Sequence, residues 1–214
     1  MIKTGVKNQK TPTTFEGFVD ETAQIGDDVL IYPNVYILGD SKIGKGTIIY
    51  PNTTIENSVI GENCVIKSSF IEDSVVENNV EIGPFAHLRP HSVVKDGCKV
   101  GNFVEIKNAT LGKGTKASHL AYVGDADVGE GCNIGCGAIF VNYNGKSKNR
   151  TTVGDNCFIG SNCNIVAPVN IANNSYICAG TTLTIDTEND DFVIGRCRET
   201  IKNGRAHNYL KEIK

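Results

Sequence analysis

Residues 100–143 read V-G-N-F-V-E-I-K-N-A-T-L-G-K-G-T-K-A-S-H-L-A-Y-V-G-D-A-D-V-G-E-G-C-N-I-G-C-G-A-I-F-V-N-Y. An aliphatic or aromatic residue, usually followed by Gly, returns every five or six positions: Val100, Ile106, Leu111, Ala117, Val123, Val128, Ile134 and Phe140. This period does not match the 3.6-residue turn of a helix and is much shorter than any helix-pair repeat. It suits a short flat β segment followed by a turn, with each beat residue pointing into one shared interior. Three such segments close a triangular coil. No coil can bury its apolar side alone, so stacking is what makes a core.

Upstream the same beat begins at Val19 and runs through Ile25, Ile31, Ile37, Ile43 and Ile49. Downstream it resumes at Val153 and ends at Leu183. Four residues after a beat, a small or β-branched residue recurs, as in Ala23, Val29, Thr47, Cys98, Cys157, Ser175 and Thr181. The expected fold is therefore all-β, a parallel β-helix of about nine coils and roughly 45 Å in length at the usual strand spacing. Residues 1–18 read as a lead-in, 19–186 as the solenoid and 187–214 as a basic tail. The beat fails once, over the polar loop 141–152, which carries Lys146, Lys148 and Arg150. A strict solenoid gains nothing from such a loop, so it is a functional candidate.

Composition narrows the function. The net charge of -3 argues against general nucleic-acid binding. No apolar run reaches membrane-spanning length. The first ten residues are polar and lack a secretory pattern. Five of the eight Cys (Cys64, Cys98, Cys132, Cys157 and Cys163) fall at small-residue repeat positions. They read as reduced core thiols of a cytoplasmic protein. Cys132 and Cys136 lack a second pair at zinc-ribbon spacing. His87, His91 and His119 do not form a recognisable ligand set either, so no metal is expected. G-D-S-K-I-G-K-G at residues 39–46 nearly matches a phosphate-binding loop, but it lacks the final Ser or Thr and two beats account for it.

The polar residues that the beat does not require carry the chemistry. His119 can take a proton near neutral pH, and Glu105, 14 residues earlier, is expected to orient it. Arg89 and Lys107 suit a phosphate. Tyr122, Asn133, Asn142 and Tyr143 offer hydroxyl and amide groups that read sugar hydroxyls. Together they describe a site for a phosphorylated polar metabolite.

The runs I-G-P-F-A-H-L-R-P, V-G-N-F-V-E-I-K-N-A-T-L-G, S-H-L-A-Y-V-G-D-A and N-Y-N-G-K-S-K resemble one family closely. It is the acetyltransferase half of the bacterial bifunctional N-acetylglucosamine-1-phosphate uridyltransferase/glucosamine-1-phosphate acetyltransferases. The resemblance implies a left-handed coil, a homotrimer with active sites between prisms, and acetyl transfer from acetyl-CoA to glucosamine 1-phosphate. It places His119 on the general base and Arg89, Lys107, Tyr122 and Asn133 on sugar-phosphate contacts. Asn142, Tyr143, Ser161, Ala179 and Arg196 fall on acetyl-CoA contacts, with Cys136 where the family often has Ala. Lys148 falls on a Lys that reaches a site from a neighbouring subunit. The family's uridyltransferase signature is absent from these residues. Two other readings are an acceptor such as galactosamine 1-phosphate and a non-catalytic oligomerisation module.

Overall fold

The computed structural model of the protein describes residues 17–208, so most of the lead-in and residues 209–214 lie outside the described residues. The chain is a left-handed parallel β-helix. Short strands stack in parallel on three faces. One face is a nine-stranded sheet, and the other two merge into an 18-stranded sheet. They merge because two long strands, Lys99–Lys107 and Lys116–Gly124, run around a corner without a break.

The beat residues form the core. Ile37, Ile49, Ile55, Ile66, Leu88, Ile106, Val123, Phe140 and Ile165 are fully buried, and each such side chain contributes roughly 1.5–3 kcal/mol on leaving water. The first beats differ from expectation. Val19 and Ile31 are only partly buried and Ile25 is 39% exposed. Among the described residues no coil precedes theirs to cover them.

The small-residue positions are bonded as well as packed. The Thr115 hydroxyl donates to Gly129 O at 2.8 Å and accepts from Cys132 N at 3.0 Å. Cysteines at equivalent positions supply the donor half of this pattern. Cys98 Sγ lies 2.9 Å from Gly112 O and Cys132 Sγ 3.1 Å from Gly154 O. Burial pushes the Cys98 thiol up to about 11. These thiols are therefore protonated donors inside the core, which accounts for their place in the repeat.

The corners need left-handed backbone, and Asn, Asp and Gly supply most of it. Gly101 meets a different demand. A Cβ there would lie 1.8 Å from Ser118 O, so only Gly lets the two long strands approach at this corner.

One boundary differs from the sequence expectation. Strand pairing continues beyond residue 186: Phe192–Val193 pairs in parallel with Tyr176–Ile177. The polar stretch between Leu183 and Phe192 delays the beat without ending the coil. Within it, Thr187 N donates to Asn170 O at 3.0 Å, and the Asp186 carboxylate accepts from Asn170 N at 2.8 Å. The loop, by contrast, lies where the beat fails. Asn133 pairs with Phe158, a span lengthened by the insertion, while Lys116 pairs with Asn133 at ordinary coil length.

Candidate active site

His119 and Asn102 face each other across the two long strands, in register at the corner. His119 is exposed, and its Nδ1 lies 2.8 Å from Asn102 Oδ1. An amide oxygen only accepts, so in the neutral imidazole this bond puts the proton on Nδ1 and leaves Nε2 its lone pair. That is the tautomer a base needs. The residues that follow, Phe103 and Leu120, hold φ of 58° and 33°. Both are large and exposed. Such backbone is costly for side chains of this kind, and here it turns the chain directly beside the candidate base.

The expected role of Glu105 is corrected. Its carboxylate accepts from Arg89 Nη1 at 2.9 Å, while Asn102 holds His119. The reason is coil length. Successive coils here are 17 residues apart, so a residue 14 positions before His119 falls further along the face and pairs with Tyr122.

Beyond Tyr122 the same face leads to a pocket of about 340 Å³ lined by Arg89, Pro90, His91, Lys107, Asn108, Asp125 and Lys148. Three predicted residues, Arg89, Lys107 and Lys148, thus meet in one place within one chain. The contact with Lys148 lowers the Lys107 pKa, and burial adds to this while Asp125 opposes it. Two ammonium groups so close form an anion site.

Asp125 is the residue that sequence reasoning missed. It is buried at a corner with φ 48°. Burial opposes its ionisation, yet the amides of Asn108 and Asn142 and the charges of Lys107 and Lys148 outweigh burial and hold its carboxyl below the usual range. Asn108 Nδ2 donates to Oδ1 at 2.5 Å and Asn142 Nδ2 donates to Oδ2. Asn142 Nδ2 also lies 3.3 Å from the Tyr122 hydroxyl. Gly124 makes room for that phenol, since a Cβ there would sit 2.3 Å from Tyr122 Oη.

The 141–152 loop folds back on itself. Tyr143 and Lys148 form an antiparallel bridge, and the side-chain oxygen of Asn144 accepts from the Lys146 and Ser147 amides at 2.9 and 2.8 Å. Tyr143 stays exposed, with its hydroxyl donating to Gly145 O at 2.8 Å. Arg150 fastens the loop to the prism. It donates twice to Asp127, at 2.5 Å each, and to Asn108 O and Ala126 O at 2.9 and 3.2 Å. The Arg150 bond holds the Asp127 carboxyl below its usual range, against opposition from burial. A depressed carboxyl contributes stability above its unfolded pKa of about 3.9 and loses it as pH falls, so acid should loosen this anchor. At neutral pH, Arg150→Ala should speed tryptic cleavage after Lys146 and Lys148 by roughly 30-fold, since the two carbonyl hydrogen bonds are worth about 1 kcal/mol each and the exposed ion pair adds less.

A second pocket, of about 530 Å³, is lined by Ser161, Asn162, Tyr176, Cys178, Ala179, Gly180, Phe192 and Arg196. It brings together the predicted Ser161, Ala179 and Arg196. Arg196 Nη1 donates to Ala179 O at 2.8 Å. Sequence reasoning missed its apolar wall, in which Tyr176 and Phe192 stack at 5.1 Å, with Phe158 stacked on Tyr176 at 4.6 Å beyond them. Their coil-length spacing was the available signal. Asn133 lies on this face between Lys116 and Phe158, and Cys136 is exposed at the next corner. Among the described residues one chain gives His119, the basic pocket and the second pocket as separate surfaces. No group of three or more His, Cys, Asp or Glu among them could hold a metal ion. No helix there is long and apolar enough to cross a membrane.

Residues 22–57 and 73–108 match the family described as bacterial transferase hexapeptide (six repeats), and residues 150–184 match the hexapeptide repeat of succinyl-transferase. The chain belongs to the bacterial hexapeptide-repeat transferases. Within them it is 52% identical over 190 residues to the bifunctional protein GlmU of Caldicellulosiruptor saccharolyticus, covering 89% of this chain and 41% of that protein. It is 46% identical over 196 residues to GlmU of Clostridium novyi, covering 91% of this chain and 43% of that protein. The chain thus spans about two fifths of the length of these relatives, and the family resemblance read from the motifs is borne out. The Arabidopsis UDP-N-acetylglucosamine acyltransferase structure superposes with a TM-score of 0.55 at 18% identity, over 81% of this chain and 68% of that one. That likeness speaks for the fold alone.

Proposed function

We propose that this chain transfers acetyl from acetyl-CoA to the 2-amino group of glucosamine 1-phosphate. The observation that carries the reading is His119 held through Nδ1 by Asn102, with Nε2 left without a partner among the described residues, on the strand that leads to the Arg89, Lys107 and Lys148 pocket. Similarity to GlmU over nearly the whole chain supports it.

In this reading Lys107, Lys148 and Arg89 hold the sugar phosphate, and Tyr122 and Asn133 meet sugar hydroxyls. The acceptor reacts as the neutral amine, its ammonium proton having gone to solvent. Nε2 of His119 takes a second proton as the nitrogen attacks the thioester carbonyl, and then passes it to the leaving thiolate. The C–N bond forms, the C–S bond breaks, and CoA leaves as thiol after taking up a proton. Acetyl-CoA lies along the second pocket, with Ser161, Ala179 and Arg196 as contacts and the Tyr176–Phe192 stack as an apolar wall. Asn142, Tyr143 and Cys136 lie toward the acyl end. The separate surfaces come together in a cytoplasmic homotrimer, where a neighbouring prism closes the space. Lys148 lines the basic pocket within its own chain, and the resemblance assigns the matching Lys to a neighbouring subunit's site. Mass spectrometry and NMR of the product test the reading: N-acetylglucosamine 1-phosphate is expected, and an O-acetylated product or none contradicts it.

A further inference from the structure

We propose that Asp125 is a positioning residue that couples the phosphate pocket to Asn142, holding the acyl-side amide in place while tempering the charge of the lysines. The inference rests on the proposed acetyl transfer and deepens it.

A carboxylate lining an anion pocket opposes the pocket's own ligand. Its presence there calls for another role, and the bonds show one. Both carboxylate oxygens are committed, Oδ1 to Asn108 and Oδ2 to Asn142, and among the described residues neither forms an ion pair with Lys107 or Lys148. Asn142 is itself buried and reaches the Tyr122 hydroxyl. Its backbone also accepts from Asn149 N at 2.7 Å, at the base of the loop that carries Lys148. Asp125 thus lies where the phosphate pocket, the loop base and the amide meet. Its backbone joins the same junction: its N–H donates to Lys107 O at 2.9 Å and its carbonyl accepts from Thr151 N at 3.1 Å. An ionised carboxylate can accept both amides at once, whereas a neutral amide in its place would point its NH₂ at one of them.

The test is Asp125→Asn, which keeps size and backbone preference. Misplacement of a positioned group costs up to about 100-fold in rate, so kcat should fall roughly 10- to 100-fold. KM for glucosamine 1-phosphate should stay level or fall, and inorganic phosphate should bind at least as tightly by calorimetry, because a negative charge has left the pocket. Asn142→Ala should lose kcat to a similar degree, and the double variant little more than either single one. A kcat within twofold of the parent, additive losses, or weakened phosphate binding with a lowered Tm would overturn the coupling. Should the parent chain itself fail to acetylate, the proposed function falls. The coupling would then be judged on phosphate calorimetry and on the Asn142 side-chain amide resonance, which Asp125→Asn must shift for the inference to survive.

Discussion

His119→Ala should lower kcat by about 10²–10⁴, the range typical of losing a general base, while leaving fold and assembly intact. The residue is exposed and its side chain makes one hydrogen bond, to Asn102. Surface replacements of this kind usually change stability by about 0.5 kcal/mol or less. Circular dichroism, light scattering and Tm should therefore match the parent, and KM for both substrates should change little. Loss of the proposed trimer on this substitution would instead assign His119 a structural role.

Lys107→Ala should act on binding and only on phosphorylated acceptors. A hydrogen bond to a charged group is worth about 1.5–3 kcal/mol, so kcat/KM for glucosamine 1-phosphate should fall roughly 10- to 150-fold. With unphosphorylated glucosamine the parent and the variant should be nearly equal. The contact with Lys148, and burial after it, lowers the Lys107 pKa. Affinity for the phosphate should accordingly weaken at a lower alkaline pH than for an ordinary lysine, as the ammonium loses its proton. Equal losses on both acceptors would place Lys107 in the scaffold instead of the phosphate site.

The fold was legible because the hexapeptide beat is the packing rule itself. Ile106, Val123 and Phe140 had to face inward for the coils to share a core, and they do. The cysteines were legible for the same reason, although their bonds to carbonyls of the next coil were not. What the sequence hid depended on coil length. A slip of three residues separates Glu105 from Asn102 as the partner of His119, and the period alone, with its alternation of five and six, cannot fix that register. Asp125 escaped notice because Asp is ordinary at a left-handed corner. Only the approach of Asn142 and the two lysines from elsewhere in the chain makes this one distinct. Phe192 was hidden by the polar stretch before it, which displaced the last strand from the beat.

The central claim is acetyl transfer to a phosphorylated amino sugar, and thiol release from acetyl-CoA tests it most directly. Glucosamine 1-phosphate, galactosamine 1-phosphate and glucosamine would be compared as acceptors at equal concentration. Turnover with glucosamine 1-phosphate well above the other two is the predicted result. Thiol release with none of the three, from a folded and assembled protein, would contradict the account and favour a scaffold that has kept its polar face for another purpose.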